Sequence, residues 1–262
     1  LTNAKGWSGR KGDDLPPQLD ALSDGGLLDP TVFAYCGAVA GNPGKCRDDD
    51  QLGRLNITWT MGYRQDADGR PILFDTAGNE SPAGTRLMYD TLYAFGGRSF
   101  SIREDDGKLV WDSGAEIERF LASDECKLGS ARNIPCATWF NANHEEGDTL
   151  DNRSDNKGAE PEGVALGRIG DKTFAFVGLE RMGGVLVYDI TEPQAPTRED
   201  YLNPREDWTT KDPATVLASV GDLGPEGLHF IPAKDSPNAK PLLLVGNEVS
   251  GTTAVYQLNL SY

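Results

Sequence analysis

Apolar residues in this chain come in short runs separated by Gly, Pro, Asn and Asp, and the 3.6-residue spacing of an amphipathic helix is almost absent. The pattern predicts strands at 53–60, 91–102, 108–112, 163–169, 173–180, 184–190, 227–232, 241–248 and 252–258. Two of these, TFAFVGL and PLLLVG, are apolar almost throughout, which predicts a cover on both faces. One short helix is expected at 114–122, where Ile117, Phe120 and Leu121 share a face, with a loop carrying one apolar anchor as the alternative. The polar stretches 1–30, 61–85, 140–158 and 195–222 read as long loops, which are uncommon in compact domains unless they act or pack.

The strands carry an internal repeat. EPEGVAL at 160–166 aligns with GPEGLHF at 224–230, matching Glu162 with Glu226, and VGLERMGGVLVY at 177–188 aligns with VGNEVSGTTAVY at 245–256, matching Glu180 with Glu248. A degenerate third copy spans 92–112. Repeated units of a few short strands predict an all-β chain of propeller blades, as a partial ring or as part of a larger propeller, with long acidic loops. The expected division is an N-terminal extension with a disulfide loop at 1–50 and blades at 51–262.

In a propeller the residues before each innermost strand sit at the channel mouth, so Glu162 and Glu226 are expected to converge. Converged carboxylates need a shared proton, a cationic partner or a bound ion. A hard divalent cation, calcium above all, suits an inventory of Asp, Glu, Asn and carbonyl oxygens. Glu162, Glu226, Glu180, Glu248 and Glu160 are the candidate ligands. The plainer alternative is that such a Glu bonds backbone N–H groups or an Arg. Arg181 and Arg98 are candidate partners for carboxylate or phosphate. Glu160 faces Gly224 in the repeat, so the repeat does not explain it.

A net charge of −16 argues against a nucleic-acid partner and for divalent cations, and no apolar run approaches the length of a membrane span. Cys36…Cys46 and Cys126…Cys136 have identical spacing, which suits two local disulfide loops, with other pairings and free thiols as alternatives. Zinc is disfavoured because no Cys-x-x-Cys spacing occurs and only two histidines exist. His229 is expected to be packed or hydrogen-bonded within a strand, and His144 to be an exposed loop residue or a minor ligand. Asn56, Asn79, Asn152 and Asn259 each begin a glycosylation triplet, and with the cysteines they favour an extracellular or cell-surface setting. Leu1 in place of Met suggests a processed or truncated chain, whose ring another chain or the rest of the precursor would complete. Asp66-Ala-Asp68-Gly69 and Asp105-Asp106-Gly107 read as hairpin turns, and Trp59, Trp111, Trp139 and Trp208 as packing residues. A nucleophile elbow, a Walker A motif and a dinucleotide fingerprint are missing.

The two long motifs at 157–191 and 222–258, with DTLYAFGGRSFSI at 90–102, resemble the choice-of-anchor I family of secreted bacterial proteins. That family includes mesenchyme-specific cell-surface glycoproteins of biomineralising animals and proteins labelled alkaline phosphatase. The resemblance covers about 50–60 and 90–260, leaving residues 1–50, the cysteine loops and 61–85 unplaced. It implies a secreted β-propeller distantly similar to calcium-dependent phytases. Two functions follow: a calcium-binding propeller with a structural or binding role at a cell surface or matrix, or a calcium-dependent phosphomonoesterase in which Arg181 neutralises developing charge.

Overall fold

The computed structural model describes residues 4–6, 26–48, 50–58 and 60–260. The chain forms two compact units, Leu1–Gly96 and Gly97–Tyr262. In the first unit, β1 (Ala4–Gly6) and β3 (Asn56–Thr58) pair antiparallel, and β2 (Leu27–Leu28) runs parallel to β5 (Arg86–Tyr89), which also pairs with β4 (Leu73–Phe74). Leu28, Phe33, Cys46, Ile57, Leu87 and Tyr89 form its main core. Cys36 and Cys46 are disulfide-bonded between two short 3-10 turns. Trp59 lies outside the described residues.

The second unit begins with β6 (Ser101–Arg103) and β7 (Leu109–Asp112), a hairpin turning at Asp105-Asp106-Gly107, followed by α1 (Glu116–Leu121). β8 (Lys127–Leu128) and β9 (Ile134–Pro135) flank the Cys126–Cys136 disulfide. A four-stranded antiparallel sheet follows, made of β10 (Pro161–Ile169), β11 (Lys172–Leu179), β12 (Val185–Asp189) and β13 (Thr197–Leu202). After the short α2 (Leu217–Val220), β14 (Pro225–Ile231), β15 (Leu242–Asn247) and β16 (Thr252–Gln257) form a three-stranded sheet.

The repeat read in the sequence is a repeat of backbone register. Val164 pairs with Val177 as Leu228 pairs with Val245, and Ala175 pairs with Tyr188 as Leu243 pairs with Tyr256. Each Pro-Glu-Gly motif forms a β-bulge at the start of its sheet, between Pro161 and Val164 and between Pro225 and Gly227. The first strands of the two sheets lie directly together. A Cβ on Gly163 would stand 2.4 Å from the Glu226 carbonyl oxygen, and one on Gly167 would strike the Phe230 ring, so only glycine allows this approach. Phe174, Phe176, Val185, Leu243 and Val245 fill a core shared by the two sheets, with the Phe176 and Phe230 rings stacked.

The expected strand at 91–102 is not formed before Ser101, because Gly96 and Arg98 adopt positive φ and break the extended run. Within the expected loop 195–222, Thr197–Leu202 is instead the outer strand of the first sheet. Its TREDYL sequence looks like a loop because an edge strand faces water and tolerates charge. His229 is exposed on β14 rather than packed. Asp66 accepts from the Asp68 and Arg70 backbone N–H groups, so 66–69 is a turn. Trp111 and Trp139 pack against the core that buries Trp208.

Cys126 and Cys136 are both fully buried in that core. Replacing the pair with Ser is expected to cost about 2–4 kcal/mol, because closure of a short loop constrains the unfolded chain and the sulfurs fill the core. The difference in unfolding free energy extrapolated to zero urea, with the slope fitted separately for each protein, measures it.

Candidate cation site

The site grows from one backbone position. Glu160 has φ 56°, the left-handed conformation that favours glycine, and its equivalent in the second repeat is Gly224 at φ 71°. In both repeats this residue's carbonyl accepts from the glutamate just after the second strand: the Glu180 N–H donates to Glu160 O at 2.8 Å, and the Glu248 N–H donates to Gly224 O at 2.8 Å. The turn geometry therefore repeats while the side chain does not. At 224 there is no room for one, since a Cβ would stand 2.9 Å from the His144 ring and 3.1 Å from Glu248 Cγ. At 160 the strained backbone carries a carboxylate that is 95% buried by residue.

Three cations surround Glu160. Arg153 Nη2 lies 2.7 Å from Oε1, Lys157 Nζ 2.5 Å from Oε2, and Arg181 Nε 3.4 Å from Oε1. Burial raises the Glu160 pKa, but Lys157, Arg153 and Arg181 more than reverse that and hold it below the usual range. Arg181 also reaches Glu180 Oε1 at 3.1 Å and Glu145 Oε2 at 3.3 Å. Arg98 does not join them. It bonds Glu118 at 3.1 Å and the carbonyls of Ser154 and Asn156, anchoring the end of the acidic loop.

Glu180 is the hub. Ligand atoms of Glu160, Glu162 and Glu180 lie within 4.8 Å of one another, as do those of His144, Glu180 and Glu248. The structure thus brings together four of the five glutamates singled out in the sequence. Glu226 belongs to neither group: it is exposed at the second bulge, where position 224 supplies no neighbouring carboxylate. His144, expected to be an exposed loop residue or a minor ligand, is 1% exposed, with Nε2 3.5 Å from Glu180 Oε1 and 3.6 Å from Glu248 Oε1. Burial, then the nearby Arg181 charge, pushes its pKa down to about 3, so the imidazole is neutral at physiological pH.

The 141–158 loop is held by residues that periodicity does not reveal. Arg205, 1% exposed, donates from Nη1 to Asn143 O at 2.8 Å and from Nη2 to Glu146 O at 3.2 Å, and these two bonds fix the turn that carries His144. Asn141, Asp148 and Asp151 all adopt positive φ, in keeping with the residue types that tolerate it.

Burial pushes the Glu180 carboxyl up to about 8, helped by a hydrogen bond shared with Glu162 and opposed by Arg181. The raised value means that the folded protein holds a proton which the unfolded chain releases near 4.5. Without metal, stability is therefore expected to fall as pH rises from about 4.5 to about 8, and Glu180→Gln should flatten that slope. Unfolding in chelator across this window measures it.

Comparison with known proteins gives the site a family context. Residues 19–193 match the choice-of-anchor I domain. The chain belongs to that family. The matched span of this choice-of-anchor I protein takes in both disulfides, His144, Glu160, Glu162, Glu180 and Arg181, and reaches further toward the N-terminus than the motifs alone suggested. The second repeat, with Glu226 and Glu248, lies beyond it. Gigasin-3a of Magallana gigas is 28% identical over 173 residues, 65% of this choice-of-anchor I chain and 58% of that protein, so the chain spans less than two-thirds of this relative's length. No solved structure matches.

Proposed function

We propose that this chain is an extracellular, calcium-binding β-propeller module with a structural or binding role at a cell surface or matrix. One observation carries the cation reading: Glu160, Glu162 and Glu180 gather around a strained backbone position at the bulged start of β10. Three carboxylates supply up to six oxygens, a donor set suited to a hard divalent ion. Arg181 compensates the group's charge until a cation takes its place.

The propeller reading is supported by two sheets with identical register whose first strands pack together. The four-stranded sheet has a counterpart of three strands among the described residues, whose outer strand β16 would accept a fourth strand to complete the blade. Two disulfides and the family favour an extracellular setting, and no described helix is long and apolar enough to cross a membrane. Asn79, Asn152 and Asn259 are exposed and Asn56 half-buried in β3, while Ser261 of the last triplet lies outside the described residues.

The phosphomonoesterase reading draws on Arg181 beside the carboxylates. Its Nε and Nη1 are already engaged by Glu160, Glu180 and Glu145, which favours the binding role. Unfolding with calcium and with chelator tests the proposal. Calcium at a hundred times Kd should stabilise the protein by about 2.7 kcal/mol without release of phosphate from a generic monoester. Calcium-dependent turnover lost in Glu162→Gln would favour the enzyme instead.

A further inference from the structure

His144 is not needed for an oxygen-only calcium site, yet it is the most buried member of the cluster. Asn143 Oδ1 accepts from the Glu145 backbone N–H at 3.3 Å, which assigns that atom as oxygen. The same oxygen lies 3.1 Å from His144 Nδ1, so in the neutral ring Nδ1 carries the proton and donates it there. Nε2 is left with a bare lone pair. The groups nearest that lone pair on the carboxylate side are Glu180 Oε1 and Glu248 Oε1, at 3.5 and 3.6 Å.

Arg181 Nη1 does not satisfy it. That atom lies 3.1 Å from Nδ1 and 3.3 Å from Nε2, and a donor at nearly equal distance from both ring nitrogens cannot lie along either in-plane lone pair. It sits over the ring face. A buried imidazole nitrogen thus stands 3.5 and 3.6 Å from two carboxyl oxygens, beyond ordinary hydrogen-bond distance but converged on one point as ligands of a shared cation converge.

We propose that His144, Glu180 and Glu248 form a second cation position, selective for an imidazole-binding first-row divalent metal such as zinc, beside the oxygen-only position of Glu160, Glu162 and Glu180. One imidazole and two carboxylates are the donor set such metals take, whereas calcium prefers oxygen alone. Asn143 orients the ring as second-layer partners of ligating histidines do. The position joins the two repeats, since Glu180 follows β11 and Glu248 follows β15. This inference deepens the cation-binding reading, from which its test can be separated.

The experiment uses the whole protein with cobalt(II) as a visible-absorbing stand-in for zinc, with zinc competition, and with calcium titrated separately. The two histidines make ring-nitrogen NMR unambiguous, because the other, His229, is exposed on β14. One equivalent of cobalt should bind, zinc should displace it, and zinc should shift the His144 Nε2 resonance alone. Glu248→Gln, at a half-exposed side chain that leaves the fold intact, should weaken zinc about tenfold or more with calcium binding unchanged. His144→Gln should do the same, and Glu162→Gln should weaken calcium far more than zinc. Zinc binding that persists in Glu248→Gln with an unmoved His144 resonance, zinc binding abolished by His229→Ala, or no zinc binding at all would overturn the inference. Loss of calcium binding alone would leave it standing and overturn only the calcium reading.

Discussion

Glu160→Ala is expected to destabilise the protein by about 3 kcal/mol or more, and Glu160→Gly by about 1 kcal/mol less. Both remove a buried carboxylate and leave Arg153, Lys157 and Arg181 without their shared counter-charge, a loss of the kind that costs about 3–5 kcal/mol when one partner of a buried pair is deleted. The three cations keep some access to water, which places the effect at the lower end of that range. Alanine retains the strain of a side chain at φ 56°, whereas glycine releases about 1–2 kcal/mol of it. Urea midpoints of the two variants separate charge from strain. Equal midpoints would show that the backbone at 160 is not strained. A stabilised glycine variant would show that the carboxylate contributes nothing.

Arg205→Ala is expected to cost about 4 kcal/mol and to weaken cation binding as well. Burial pushes this guanidinium down to about 10, opposed by Asp207, so the protein bears a desolvation cost to keep a charge there. Its return is three carbonyl partners, Asn143, Glu146 and Asp207, and a contact 4.3 Å above the Trp208 ring. Truncation orphans those carbonyls, at about 1–3 kcal/mol each before relaxation, and frees the loop that carries His144. Arg205→Lys should recover little, since an ammonium cannot span three diverging acceptors. Chemical denaturation and a calcium titration on the same variant measure both effects. A stable variant with weakened binding would make Arg205 a positioning residue only.

The repeat was legible because matching strands need matching residues at their bulges and cores. Pro-Glu-Gly marks the bulge in both sheets, and the Val177/Val245 alignment predicts the observed register. The outer strand at 197–202 was not legible, because its solvent-facing charges erase the apolar signal. At the site, the repeat pointed to Glu162, Glu180 and Glu248. It also pointed to Glu226, which lies outside both groups: equivalent backbone positions need not carry equivalent side-chain surroundings, and Gly224 stands in place of Glu160. His144, Arg153, Lys157 and Arg205 act through tertiary contacts of a loop without periodicity, and only its dense polar composition marked the segment out.

The proposed cation site holds one calcium ion between Glu160, Glu162 and Glu180. Glu162 is exposed, so Glu162→Gln leaves the packing intact while removing one charged ligand. Calorimetric titration of wild type and Glu162→Gln with calcium is the most direct measurement. Expected are a stoichiometric event in wild type, accompanied by proton release from Glu180, and an affinity weakened about ten- to a hundredfold in the variant at unchanged metal-free stability. Equal affinities in the two proteins, or no heat of binding in either, would contradict it.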